Sequence, residues 1–330
     1  MSDWKITARN YAAQAQAGLR DAAALMTDSR DAAIVHAMCD KIGQAVHFVM
    51  PDGGSVFDDN GRGLRDTEIH LPFPLLTIEY YSDAHDDTAD LVVMPKRLII
   101  AEELSADEAR TRGQTAHGRK FKTDPFSDGE RFIYITWAAL WGDMWVPGAC
   151  ALAVPVAWDM HVDDRDRREF LPLGSEGKFT RMNAIPIIEL LSMAAFFVER
   201  TGNQESVMQH LVHDVATEAS VLIEFLEALS CSNVGTVIAQ SGVVGAKAQR
   251  RAKDGKLPIF ETRMLAIDVG RQRAGRDDEG DSACDRASPA QHLRRGHIRR
   301  LANGKNIWVQ SCVVGAAAQG RIDKTYVVRA

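Results

Sequence analysis

The chain has 330 residues, with 39 Lys plus Arg against 45 Asp plus Glu, a formal net charge of −6 and 45% hydrophobic residues. These values exclude collagen-like, disordered and disulfide-scaffold classes and leave room for a sizeable core in one large or two average domains. The mild acidity is an average of unlike parts: residues 246–330 carry 18 Lys/Arg and 9 Asp/Glu, a net of +9, and residues 1–245 a net of −15. Such asymmetry points to an acidic body, 1–245, bearing a basic module, 246–330, for an anionic partner.

In chain order, residues 8–28 are Ala-rich with apolar residues at helical spacing, and Asp31–Gln44 resumes the pattern after Asp28-Ser29. This predicts a helical hairpin. Turn signals at Asp52-Gly-Gly and Asp59-Asn-Gly lead to His70–Tyr81, whose second half reads as a strand entered through two prolines. Leu91–Met94, Arg97–Ala101 and Arg131–Trp137 are further strand candidates, and the charge run Asp163–Glu169 reads as a solvated loop. Two long helices are expected over Ile185–Thr201 and Gln204–Ser230. Next come a basic segment, Ala246–Lys256, and a strand candidate, Pro258–Asp268. Residues 269–290, poor in apolar residues, are expected to form a flexible loop. His292–Leu301 and Asn306–Val314 flank Asn303-Gly304, a strong hairpin signal, and Thr325–Arg329 adds an edge strand. The expected fold class is α+β: a helical N-terminal hairpin, a mixed sheet, two long helices and a basic C-terminal β-hairpin module.

The start, Met1-Ser-Asp-Trp-Lys5, has no apolar h-region, so no signal peptide is expected, and no apolar stretch suits a membrane span. Five scattered cysteines without a C-x-x-C pair fit reduced thiols in a cytosol. No phosphate-binding loop, dinucleotide fingerprint, nucleophile elbow or H-E-x-x-H helix occurs, so no cofactor and no metal are expected. His210, His213 and Asp214 share a helix without a matching ligand set, and Asp83-Ala-His85-Asp86-Asp87 lacks the glycine and terminal glutamate of a calcium loop. Trp137, Trp141 and Trp145 recur every four residues, so a helix would place them on one face, as core packing or as a peptide-binding groove.

The most informative stretch is His292-Leu-Arg294-Arg295-Gly296-His297-Ile-Arg299-Arg300. On one strand, Arg295, His297 and Arg299 would share a face and His292, Arg294 and Arg300 the other, with a bulge at Gly296 shifting that register. Arginine forks match phosphate oxygens, and Trp308 on the facing strand would offer a stacking surface. Lys305, Arg250, Arg251 and Lys256 (with Lys247 and Lys253) extend the positive surface. RNA binding is the expectation. An alternative is a metal-independent ribonuclease using His292 or His297 as acid and base. Another is a phage structural or regulatory protein without RNA contact.

Arg250-Arg-Ala-Lys-Asp-Gly255-Lys256-Leu-Pro258-Ile-Phe260-Glu, with Leu265-Ala-Ile267, is similar to a pattern in bacteriophage and prophage proteins. His292–Arg299, Gly304-Lys305, Ile307-Trp308-Val309 and Val313-Val314-Gly315 share that likeness. The layout resembles the second-described type V-A anti-CRISPR family, mainly over the last 85 or so residues. Ile298 and Arg299 stand where that family has Trp and His. The resemblance implies a phage- or mobile-element-encoded inhibitor in the bacterial cytoplasm. Such a protein recognises the nascent N-terminal peptide of a CRISPR effector nuclease and lowers its mRNA during translation.

Overall fold

The computed structural model describes residues 8–56, 67–82, 94–117, 126, 128–158, 170–173, 180–267, 290–294, 297–301, 303, 305–309, 312–314 and 316–322. Helices α1 (Tyr11–Leu25) and α2 (Ser29–Gln44) form the expected hairpin. Strands β1 (Val46–Val49), β2 (Thr67–Glu68), β3 (Leu75–Tyr81) and β4 (Lys96–Ser105) follow, then α3 (Ala106–His117). Next are β5 (Arg131–Trp141), β6 (Met144–Pro147), β7 (Cys150–Pro155), β8 (Ala157–Trp158), β9 (Phe170–Leu173), β10 (Thr180–Asn183) and β11 (Ile185–Ile188). Helices α4 (Leu191–Thr201) and α5 (Gln204–Ser230) lead to β12 (Val234–Gln240), α6 (Gly245–Lys253) and β13 (Thr262–Ile267). The C-terminal strands are β14 (Ala290–Arg294), β15 (His297–Arg300), β16 (Asn306–Val309), β17 (Cys312–Val314) and β18 (Ala316–Ile322).

The α+β class holds. One nine-stranded sheet runs β11-β7-β5-β4-β3-β1-β13-β12, with β6 also paired to β5. It is antiparallel except where β1 lies parallel to β3 and to β13. Helices cover both faces, as consecutive residues of β3 demonstrate. The Glu79 carboxylate accepts the Arg9 and Tyr11 amides at the start of α1, each at 2.6 Å, whereas the Tyr80 hydroxyl donates to Glu218 of α5 at 2.7 Å. Alternation of side chains along a strand makes these opposite faces. Strands covered on both sides read as unbroken apolar runs, which explains the continuous burial of β5 and β7.

The Ala-rich surface of α1 lets it lie close to the sheet. Gly18 sits against Trp145, where an added Cβ would come within 2.9 Å of the ring-bearing carbon. Asn10, with φ 57°, offers α1 no side-chain cap, so Glu79 supplies that function from β3. Helix α2 caps itself through Asp28, which accepts from the Arg30 and Asp31 amides. Asn203 does the same for α5 through the Ser206 amide.

Three expectations need correction. The helix expected over Ile185–Thr201 starts only at Leu191, because Ile185-Pro-Ile-Ile188 is an edge strand paired to β7 alone, where a proline costs no ladder bond. The tryptophans lie on a hairpin rather than a helix: a four-residue spacing also suits strand alternation, and Gly142, with φ 57°, turns the chain between Trp141 and Trp145. The division after residue 245 does not separate two units, because β12 and β13 on either side of it pair together and β13 pairs with β1. Asp83–Asp87, the Asp163–Glu169 run, the 269–290 loop up to residue 289 and Thr325–Arg329 lie outside the described residues.

A candidate nucleic-acid interface

Between β12 and β13 the chain makes an arm, residues 241–261, whose base is fixed and whose tip is solvated. At the base, the Val243 amide donates to the Ile259 carbonyl at 2.9 Å and Gln240 Nε2 to the Phe260 carbonyl at 3.3 Å. Asn10 Nδ2 donates to the Pro258 carbonyl at 3.0 Å, tying the arm to the entry of α1. The Phe260 ring stacks on His47 at 4.4 Å between centroids. His47 Nδ1 lies 2.7 Å from Thr77 Oγ1, and burial lowers this imidazole's pKa to about 4, so it serves the clamp as a neutral ring. Sequence reasoning missed the clamp because its parts are 30 to 250 positions apart and match no motif.

At the tip, α6 buries none of its nine residues. Lys247, Arg250, Lys253 and Lys256 are exposed, and between residues 247 and 256 the one acidic residue is Asp254, 3.5 Å from Lys256 Nζ. Arg251 differs: its Nε and Nη2 both donate to the Leu257 carbonyl, at 3.3 and 3.0 Å, folding the return segment against the helix. It is a positioning residue for the cationic tip. Arginine and lysine heads held on a pre-set scaffold bind phosphate with less ordering cost than the same charges on a loose tail.

The expected single strand over His292–Leu301 is two. Arg294 and His292 stand in β14, which pairs antiparallel with β17 and parallel with β18, whereas His297, Arg299 and Arg300 stand in β15, paired with β16 in a separate sheet. Arg295 lies outside the described residues. The β15–β16 hairpin closes as the Asn-Gly signal predicts, with the Leu301 amide donating to the Lys305 carbonyl at 2.8 Å and exposed Lys305 donating its amide to Asn303 Oδ1. The register sets Trp308 opposite Ile298, with His297 opposite Val309 and Arg299 opposite Ile307. The two histidines of the ribonuclease alternative thus belong to different sheets.

The proposed peptide residues do not come together. Trp145 packs against Tyr11 of α1 at 6.0 Å. Trp137 is buried beneath the Arg97 guanidinium, which lies 5.1 Å from its ring centroid. Only Trp141 is exposed, at 46%. His210 and His213 are on the exposed side of α5, and among the described residues no group of three or more His, Cys, Asp or Glu could hold a metal ion. Cys39, Cys150 and Cys231 are buried thiols, and burial pushes the Cys231 thiol up to about 11.

Two buried carboxylates sit on the helix–sheet interfaces. Glu218 accepts from Tyr80 and from Arg97 Nη1 at 3.0 Å, and Glu189 accepts from the Tyr134 hydroxyl at 2.7 Å. Burial raises the pKa of both, against the pull of their donors. Nearby, Glu102 pairs with Lys41 and Arg112, which hold its pKa below the usual value despite burial. Glu218 and Glu189 are sealed and all of these groups are satisfied by one another, an arrangement that fixes helices on a sheet rather than one that meets a substrate. No protein-family model, curated protein or solved structure matches this chain. No described helix is long and apolar enough to cross a membrane.

Proposed function

We propose that the protein is a non-enzymatic RNA-binding inhibitor of the anti-CRISPR type, carried by a phage or mobile element and acting in the host cytoplasm. The observation that carries the RNA contact is the arm: a fixed base bearing a solvated helix and return segment that together place five cations between residues 247 and 256. Such a surface neutralises phosphates and releases counterions. The sequence of the C-terminal hairpin adds His297, Arg299, Arg300 and Lys305 to the basic residues. The immune context and a nascent effector peptide as second ligand rest on the sequence resemblance, and the buried Trp137 and Trp145 do not supply that peptide's site.

The test is RNA affinity as a function of salt for the wild type and for a variant with Lys247, Arg250, Lys253 and Lys256 changed to Ala. Each lost phosphate contact lowers the slope of log K against log salt by about 0.7 on single strands and 0.9 on duplexes. An unchanged slope and affinity would overturn the reading. In cells translating a type V-A effector, the wild type lowers effector mRNA and the arm variant does not.

A further inference from the structure

Strand β12 ends the nine-stranded sheet, and among the described residues no strand pairs with its outer edge. Its sequence, Val-Gly-Thr-Val-Ile-Ala-Gln, contains no charge and no proline, and none of its seven residues is buried. Val237 and Ile238, consecutive and therefore on opposite faces, are 43% and 54% exposed. Sheet edges are ordinarily guarded by lysine, proline, shortness or cover, because their unpaired amides and carbonyls template further pairing. The one guard here is a bulge between Ile238 and Gln240, at the far end of the strand.

We propose that β12 pairs antiparallel with β12 of a second copy of this chain, joining two sheets across a two-fold axis. The strand is suited to itself: it has no charges to oppose one another, and its Val, Thr and Ile residues are favourable cross-strand partners. Charge complementarity points to the same occupant. In an antiparallel pairing, the cationic arm that leaves the end of one β12 falls beside the start of the other. That start adjoins the C-terminus of the 27-residue α5, which has no basic residue in its last turn and, one turn earlier, carries half-buried Glu224, the acceptor for Ser55 and Val56. A helix C-terminus attracts cations. Each copy thus offers the other a strand edge and an opposite charge at its end, the isologous arrangement of a two-fold dimer.

The experiment is sedimentation of the nuclease-treated full-length protein over a concentration series reaching tens of micromolar. The wild type is expected to be a dimer that weakens as salt rises. Ile238→Lys places a charge on the edge and is expected to sediment as a monomer with an unchanged melting curve. The double substitution Arg250→Glu, Lys253→Glu lies outside the sheet and is expected to shift dissociation to at least tenfold lower salt or higher protein concentration. A monomeric wild type overturns the proposal. So does a dimer that survives Ile238→Lys, and so does an association that vanishes on nuclease treatment, which would assign it to bridging RNA.

Discussion

Eight successive residues of β5 are buried, whereas none of the seven residues of β12 is, although both strands belong to one sheet. The contrast extends to the charges. At the sheet centre Arg97, Glu218, Glu102 and Arg112 are spent on one another, each with partners within the fold. At the edge Lys247, Arg250 and Lys253 stand on a helix that buries nothing. The same residue types therefore do opposite work. Where helices cover both faces, an ionic group must be paired to exist, and it fixes geometry. Where the sheet runs out, the group is left to the solvent and to whatever binds there.

The comparison is most easily broken at the centre. Glu218→Ala leaves Arg97 without its carboxylate and Tyr80 without its acceptor, and is expected to cost roughly 3–5 kcal/mol in denaturant unfolding. An effect below about 1 kcal/mol would mean that the pair is not sealed as described.

The next largest effect is a pH dependence. Folded His47 stays neutral to about pH 4, while the unfolded imidazole takes up its proton near 6.5. Its contribution is present above 6.5 and lost as the pH falls toward 4, about 3 kcal/mol in all. His47→Leu removes that share of the acid limb, which unfolding curves between these pH values measure. Buried Glu79, Glu189 and Glu218 act in the other sense: their raised pKa values give stability at low pH that fades as the pH climbs through them.

Tyr134→Phe removes only the donor to Glu189 and is expected to cost about 1–3 kcal/mol, read from the denaturation midpoint. At the edge, changing Lys247, Arg250 and Lys253 to Ala is expected to move stability by no more than about 0.5 kcal/mol. RNA affinity and its salt slope fall in the same protein. Phe260→Ala sharpens the point further, because it keeps every charge but releases the arm from His47, so RNA affinity drops while the salt slope is retained.

Much of this arrangement was legible in the residues. The Asp28-Ser29 break separated α1 from α2, the apolar spacing gave the body of α5, and Asn303-Gly304 gave the β15–β16 turn. Short apolar segments were the weak point: Ile185–Ile188 suits a helix or an edge strand equally, and only its pairing with β7 decides. The tryptophan spacing failed for a related reason, since a four-residue interval returns to the same face in both periodicities and says nothing of a turn at Gly142. For the candidate site, Arg250, Arg251 and Lys256 were visible as a basic cluster, but the distinction between positioning Arg251 and its exposed neighbours required the Leu257 carbonyl. The clamp of Asn10, His47 and Phe260 was invisible because it is made by the fold.

The cap on α1 has a consequence for the order in which the molecule comes into being. The amides that open this helix are satisfied by a carboxylate 68 to 70 positions downstream, on a strand that leaves the ribosome much later. A nascent chain ending before residue 79 carries the helix-forming sequence without the group that completes its first turn. Completion of the first turn of α1 therefore waits for β3, and a segment synthesised early is fixed only once the middle of the sheet has arrived.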